Sequence, residues 1–111
     1  MSGNLFTIRE KHEGRELHTM LASGNGFMVE RIVSWGDVTP EGSWYDQDHD
    51  EWAVVVQGHG VLEEESGARI ELGPGDSHFL PAHVRHRVAA TSHEPPCIWL
   101  SVHGQITPPE S

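Results

Sequence analysis

The sequence predicts an all-β protein built as one antiparallel sandwich or barrel, and two observations lead to that prediction. The apolar residues come in short runs rich in β-branched side chains, which is the length and composition of strands. Turn residues separate these runs at regular intervals, as at Ser23–Gly26 and at Gly73–Asp76. Many short strands at this spacing favour antiparallel sheets.

Local patterns predict the individual strands. Trp52–Gln57 is apolar on both alternating faces, which suits a strand covered on both sides. Ala68–Leu72 alternates apolar and charged residues, which is typical of a strand with one solvent face. Ser66-Gly67 predicts a two-residue hairpin between this strand and the one before it. The predicted strands are Leu17–Ala22, Phe27–Ser34, Trp52–Gln57, Val61–Glu65, Ala68–Leu72, Ser77–Leu80, His86–Ala90 and Pro96–Val102.

The chain length of 111 residues fits a single domain, residues 1–111. Within it we expect an N-terminal extension (1–16) and a loose C-terminal tail (104–111) that contains two prolines. No apolar run approaches the roughly 20 residues of a membrane span, and the N-terminus lacks the apolar core of a signal peptide. We therefore expect a cytoplasmic protein without membrane partners. The single cysteine, Cys97, allows no internal disulfide and sits in an apolar run that predicts burial.

The charge of the chain argues against nucleic-acid binding. Seven basic and seventeen acidic residues give a formal net charge of −10. Nine of the acids fall between Ile32 and Ala68, a stretch without Lys or Arg. Phosphate neutralisation dominates nucleic-acid affinity and requires the opposite sign.

Two sequence motifs resemble those of the cupin superfamily. Residues 75–86, GDSHFLPAHVRH, keep the first glycine, the proline (Pro81) and the final histidine (His86) of the pattern G-x5-P-x-G-x2-H, with His83 at the second glycine. Residues 51–58, EWAVVVQG, match the E-x6-G half of the other motif. The resemblance implies an antiparallel double-stranded β-helix, the jelly-roll or cupin barrel, with its site inside the barrel.

The resemblance also implies a divalent metal, with Glu51 and His86 as ligands. Carboxylate and imidazole ligands suit Fe, Mn, Ni or Zn. The usual H-x-H before the glutamate is missing, because Tyr45 and Gln47 occupy one possible frame. Gln47, His49 and His83 are further candidate ligands, and a metal held by this set is expected to bind less tightly than one held by three histidines and a glutamate.

Other residues are candidates for ligand binding or proton transfer. By strand parity Tyr45, Gln47, His49 and Glu51 share one face. Tyr45 and Gln47 are therefore predicted to line a pocket. Trp99 and His103 alternate on the last strand and are predicted to line it too, with core packing as the alternative for Trp99.

Alternatives stay open for three of these residues. Glu51 alone could be an exposed or Arg-paired residue at a strand start, and His86 alone could be a core histidine bonded to backbone. His83 follows Pro81-Ala82 in a loop, where it could be a ligand, an acid–base group or a surface residue. His83 and Tyr45 are the candidate catalytic residues.

The sequence supports three hypotheses for function. The first is a metal-dependent enzyme of the dioxygenase, isomerase or lyase type acting on a small oxygen-bearing substrate. The second, favoured by the missing H-x-H, is a small-molecule-binding protein with little or no bound metal. The third is a purely structural or regulatory dimer. A homodimer is expected in each case, because small single-barrel cupins commonly pair and two-fold dimers are the commonest assembly.

Overall fold

A computed structural model describes residues 1–9 and 16–110 and confirms the all-β prediction. The described residues form eight strands and no α-helix, so they contain no helix long and apolar enough to cross a membrane. The strands are β1 (Leu17–Gly24), β2 (Phe27–Ser34), β3 (Asp50–Gln57), β4 (Gly60–Glu64), β5 (Arg69–Leu72), β6 (Ser77–Leu80), β7 (His86–Thr91) and β8 (Cys97–Gly104).

Two antiparallel sheets make up the jelly roll. The larger has the strand order β1-β2-β8-β3-β6, and the smaller has the order β5-β4-β7. The last strand, β8, therefore lies between β2 and β3. This order brings residues that are distant in the sequence onto one inner face, since Glu51 on β3 lies directly opposite His103 on β8.

The core lies between the two sheets. Val55, Leu62, Leu72, Leu80 and Cys97 are almost fully buried there and belong to one apolar cluster with Trp99. The burial expected for Cys97 is confirmed, with none of its surface exposed. Burial of such side chains is the main source of stability for a domain of this size.

The hairpin between β4 and β5 differs from the prediction. Glu64 and Ala68 are joined by a backbone hydrogen bond of 2.9 Å, so three residues and not two form the loop. Gly67 has a φ of 101° and donates its amide hydrogen to the Glu64 carbonyl oxygen at 2.8 Å. This is the three-residue hairpin that places glycine in the left-handed region.

The motif glycine Gly58 follows β3 in a crowded turn. Its φ is 80°, and an added Cβ would lie 2.4 Å from the Ser92 hydroxyl and 2.8 Å from the Pro96 carbonyl oxygen. Backbone conformation and space both require glycine here. The E-x6-G spacing thus ends β3 at a fixed point, with Glu51 at the other end of the strand.

The two terminal segments predicted from sequence contact the barrel. In the N-terminal extension, the Leu5 and Thr7 carbonyl oxygens accept hydrogen bonds from Arg31 at 3.2 and 2.8 Å. Residues 10–15 of that extension lie outside the described residues. At the other end, the Ile106 amide donates to the Asp50 carboxylate at 2.9 Å, which ties the start of the tail to β3.

Candidate functional site

The candidate site is a cavity between the two sheets, inside the barrel. It comprises about 600 Å³ of empty space, a figure that includes open solvent at its mouth. Six of the predicted site residues line it. They are Tyr45, Gln47, Glu51, His86, Trp99 and His103.

Glu51 lies between two histidines on the polar side of this cavity. Its Oε1 atom is 4.0 Å from His86 Nε2 and 4.0 Å from His103 Nδ1. All three residues are less than a tenth exposed. The expected inward placement of Glu51 and His86 is what the structure shows.

The backbone sets the tautomer of His86. Its Nδ1 atom is 3.0 Å from the Val84 carbonyl oxygen, which can only accept a hydrogen bond. Nδ1 therefore carries the hydrogen in the neutral ring. The Nε2 atom is left with a lone pair that faces the Glu51 side of the cavity.

Tyr45 is joined to His86 by an isolated β-bridge that links the loop before β3 to β7. The Tyr45 amide donates to the His86 carbonyl at 2.7 Å, and the His86 amide donates back at 3.1 Å. The two rings lie 5.6 Å apart. Partial burial raises the pKa of Tyr45, so its hydroxyl stays protonated at neutral pH.

Gln47 is held by a similar backbone contact and makes side-chain contacts to two histidines. Its carbonyl oxygen accepts a hydrogen bond from the His83 amide at 2.7 Å. Its Nε2 atom is 3.1 Å from His49 Nε2 and 3.4 Å from His103 Nδ1. His49 contacts Gln47 and His103 at the rim without lining the main cavity, because residues 48 and 49 form a bend and not a regular strand.

His83 lies outside the cavity. Its side chain is 70% exposed and its Nδ1 atom is 2.9 Å from the Asp46 carboxylate. Its φ is 67°, the only positive φ among described residues other than glycine. His83 stands where the family motif has glycine, and the backbone there keeps the conformation that glycine adopts most readily. Of the alternatives left open for His83, this placement corresponds to the surface residue.

A row of alternating acidic and histidine side chains completes the polar wall, and it was not predicted from the sequence. Glu16, His18 and Glu30 line the cavity beside His103. His18 Nε2 is 3.4 Å from Glu16 and its Nδ1 is 3.5 Å from Glu30, while His103 Nε2 is 2.9 Å from Glu30. The available signal was strand parity, because Glu30 shares its face of β2 with the inward Ile32.

These contacts shift the pKa values of all four side chains. Hydrogen bonds from His103 and His18 lower the pKa of Glu30 to about 2, and the hydrogen bond from His18 lowers that of Glu16. Hydrogen bonds to Glu16 and Glu30 raise the pKa of His18 to about 10. The hydrogen bond to Glu30 raises the pKa of His103 as well. The positive charges of the cavity wall are thus compensated by carboxylates within the same wall.

The opposite wall is apolar and contains one unpaired donor. Leu62, Leu80, Val88 and Ile32 contribute to this wall together with Trp99. The Trp99 indole Nε1 is buried and has no hydrogen-bond partner among the described residues. A buried N–H without a partner is energetically unfavourable.

Comparison with known proteins establishes the family. A family model for the cupin domain matches residues 35–103, more than half of the chain. This chain is a cupin. A solved structure from Ralstonia eutropha JMP134, of a protein provisionally described as a mannose-6-phosphate isomerase, is 40% identical over 96% of this cupin and 99% of that chain, with a TM-score of 0.89.

More distant structures share the fold of this cupin. KdgF from Halomonas sp. is 23% identical, with a TM-score of 0.70, over 88% of this chain and 87% of its own. An RmlC-like cupin from Shewanella frigidimarina NCIMB 400 is 24% identical, with a TM-score of 0.72, over 95% and 89%. None of the curated protein sequences matches the chain.

The residues of this cupin do not fit the four-ligand metal centre that the resemblance implies. Tyr45 and Gln47 occupy the two positions where that centre takes imidazoles. Across residues 1–9 and 16–110, no three His, Cys, Asp or Glu side chains come together closely enough to hold an ion. Of the four implied ligand positions, Glu51 and His86 are the two at which this chain has the expected residue type.

Proposed function

We propose that this cupin binds a small, uncharged, hydroxyl-bearing molecule in the barrel cavity. The observation that supports this most is the internal charge compensation of the polar wall. Glu16 and Glu30 have lowered pKa values because they bond to His18 and His103, whose positive charges are thereby offset. A charged ligand would have to compete with these pairs, whereas hydroxyl groups can bond to them without disturbing the charge.

The two walls suit a molecule with one polar and one apolar face. Glu51, His86 and Tyr45 offer acceptors and a donor on one side. Trp99 and Leu62 offer apolar surface on the other side. A monosaccharide or polyol has both kinds of face.

The name of the relative from Ralstonia eutropha raises the question of a phosphorylated sugar. A phosphate group is usually recognised by unpaired cationic side chains or by clustered backbone amides. In this cavity the cationic groups His18 and His103 already contact Glu16 and Glu30. We therefore expect a neutral sugar to bind more tightly than its phosphate ester.

Isothermal titration calorimetry with mannose, mannose 6-phosphate, a neutral polyol and a small carboxylate tests this proposal. A neutral compound is expected to bind most tightly, and E51Q is expected to weaken that binding about tenfold or more through the loss of a charge-assisted hydrogen bond. The control is H59A, since His59 is exposed and does not line the cavity. Tighter binding of the phosphate ester, or equal binding by E51Q, would contradict the proposal.

A metal-dependent enzyme of the isomerase, lyase or dioxygenase type is the second candidate. It is favoured by the three groups Glu51, His86 and Tyr45, which can exchange protons around one cavity. Elemental analysis of untagged protein for Fe, Mn, Ni and Zn, with E51Q and H86A for comparison, tests the metal. Near-stoichiometric metal that survives both substitutions would exclude Glu51 and His86 as its ligands.

We also propose that the protein forms a homodimer. Met20, Leu21 and Phe27 on β1 and β2 are between 43% and 63% exposed, and Trp52 and Val56 on β3 are only half-buried. Covering such side chains favours association. Light scattering at micromolar concentration is expected to give twice the mass of the 12.3 kDa chain, and a monomer would refute the proposal.

A further inference from the structure

Two side chains mark the mouth of the barrel cavity. Among the described residues that line the cavity, only His18 and Tyr45 are exposed rather than buried or half-buried. His18 lies on β1, the edge strand of the larger sheet. Tyr45 is bridged to β7, an edge strand of the smaller sheet. Exposed lining residues show where a cavity meets solvent, so the mouth lies between these two edges and has one planar ring on each side.

On the β1 side, His18 presents its ring carbons to the mouth. Its Nε2 atom is 3.4 Å from Glu16 and its Nδ1 atom is 3.5 Å from Glu30, so both nitrogens face carboxylates. Burial, and after it the negative charge of Glu16, raises the pKa of Tyr45. Charges near a protein surface act over about 10 Å. One small molecule in the mouth can therefore contact both sides.

On the other side, the Tyr45 ring is held in place by the main chain. The Tyr45 amide donates to the His86 carbonyl at 2.7 Å, and the His86 amide donates to the Tyr45 carbonyl at 3.1 Å. The planes of the two rings differ by 30°, with their centroids 5.6 Å apart, so the phenol ring continues the wall that the buried His86 ring begins. Tyr45 is nevertheless 47% exposed. An aromatic ring positioned in this way offers contact surface to a bound molecule at little cost in side-chain entropy.

The interior and the mouth of the cavity suit different parts of one ligand. Glu51 and His86 are buried in the interior and offer hydrogen-bonding groups, whereas Tyr45 offers a ring at the opening. The empty space continues into solvent past that ring. A sugar ring carries C–H groups on its faces and hydroxyl groups around its edge. A second sugar ring can therefore lay one face against Tyr45 while its hydroxyls remain in water.

We propose that the ligand of this cupin is a disaccharide or a longer saccharide, with one ring in the cavity and the next ring stacked on Tyr45 at the mouth. The inference rests on the proposed function, because it requires a hydroxyl-bearing ligand in the cavity. It adds the class of that ligand and gives Tyr45 the role of selecting for length. The stacked ring is expected to make a disaccharide bind about fivefold more tightly than its monosaccharide.

Isothermal titration calorimetry with three matched pairs tests this role: mannose and mannobiose, glucose and cellobiose, galactose and galactobiose. The measured quantity is the ratio of disaccharide to monosaccharide affinity, expected to be about five for at least one pair. Y45A is expected to lower this ratio to about one, and Y45F is expected to keep it because phenylalanine retains the ring. E51Q is expected to weaken both members of the pair and leave the ratio unchanged. H59A is the control for a histidine that does not line the cavity.

Nuclear magnetic resonance gives an independent measurement, because Tyr45 is the single tyrosine of the chain. Protein labelled with ring-¹³C tyrosine therefore gives signals from this ring alone. The disaccharide is expected to shift these signals more than the monosaccharide does, and to show nuclear Overhauser contacts from its second ring to Tyr45. The main-chain bonds to His86 do not depend on the side chain, so Y45A is expected to fold, as circular dichroism can check.

The outcomes separate this inference from the proposed function. If monosaccharides bind but no disaccharide binds more tightly, the inference is wrong and the proposed function stands. The same holds if Y45A keeps the ratio of the original protein, or if Y45F loses it together with Y45A. If no sugar or polyol binds at all, the proposed function fails and this inference fails with it.

Discussion

Substitution of Gly60 by alanine tests how the apolar wall of the cavity is packed. Gly60 is buried at the start of β4, where an added Cβ would lie 2.4 Å from Trp99 Cζ2 and 2.6 Å from Trp99 Cη2. Carbon atoms in contact are about 3.5–4.0 Å apart, so the indole would have to move by roughly 1 Å. Trp99 is only 4% exposed and lies on β8, which is paired on both sides. Little space is available for that movement.

The expected loss of stability is that of an overpacked core. Forcing one extra carbon into a well-packed site destabilises by about 1–3 kcal/mol. For a domain of this length, each kcal/mol lowers Tm by about 4 °C, so G60A is expected to melt about 4–12 °C lower. Urea unfolding followed by circular dichroism gives the free energy of unfolding. Because Trp99 lines the cavity, its fluorescence is also expected to change.

A double-mutant cycle isolates the contact between Gly60 and Trp99. Phenylalanine lacks the two indole atoms that the added Cβ would approach, so G60A in the background of W99F is expected to cost less than about 0.5 kcal/mol. An equal loss of stability in both backgrounds would refute the reasoning. So would a G60A protein as stable as the original.

Three further predictions concern charge, backbone conformation and thiol reactivity. In the folded state the pKa of His18 is raised from 6.5 to about 10. Its stabilising contribution is therefore fully present below pH 6.5 and is lost as the pH rises towards 10. The difference in unfolding free energy between the original protein and H18Q is expected to shrink over that interval. H83G is expected to stabilise the protein by up to about 1 kcal/mol in urea unfolding, since glycine adopts the φ of 67° without strain and the lost contact to Asp46 is exposed. Burial raises the pKa of the Cys97 thiol to about 12, so a disulfide reagent such as DTNB is expected to react with it only after unfolding.

Each of these has a result that would count against it. A difference between the original protein and H18Q that stays constant from pH 6 to 10 would mean that His18 gains no stability from Glu16 and Glu30. A less stable H83G protein would show that the contact to Asp46 outweighs backbone strain. Stoichiometric labelling of Cys97 in the folded protein would show that β8 opens more readily than its burial indicates.

Strand positions were predictable because burial and alternation act locally. Five of the eight predicted strands agree with the observed strands to within one residue at both ends. β1 and β8 each run two residues further, to Gly24 and Gly104, and β3 begins two residues earlier, at Asp50. The predicted β4–β5 loop was one residue shorter than the observed loop. The hairpin closes at Glu64 and Ala68 and not at the residues flanking Ser66-Gly67. The number of loop residues depends on which pair closes the hairpin, and composition alone does not determine that.

The site was predictable where a motif or the alternation along one strand fixed the register. Glu51 and His86 were expected in the cavity from the two motifs, and Tyr45 and Gln47 from strand parity, and all four line it. His18 and Glu30 were missed because β1 and β2 reach the site only through the pairing of β2 with β8, which joins residues about 70 positions apart. Strand parity places Glu30 on the inward face of β2, but a single sequence gives no sign that this strand pairs with β8.

The loop before β3 is held by main-chain hydrogen bonds, and this affects which side chains its positions can carry. Tyr45 is joined to His86, and Gln47 to His83, through main-chain amides and carbonyls, which every residue type except proline provides in full. The identity of the side chains at these positions is therefore free to change while the barrel keeps its shape. A change of side chain at either position leaves these main-chain bonds in place and alters the chemical groups that line the cavity.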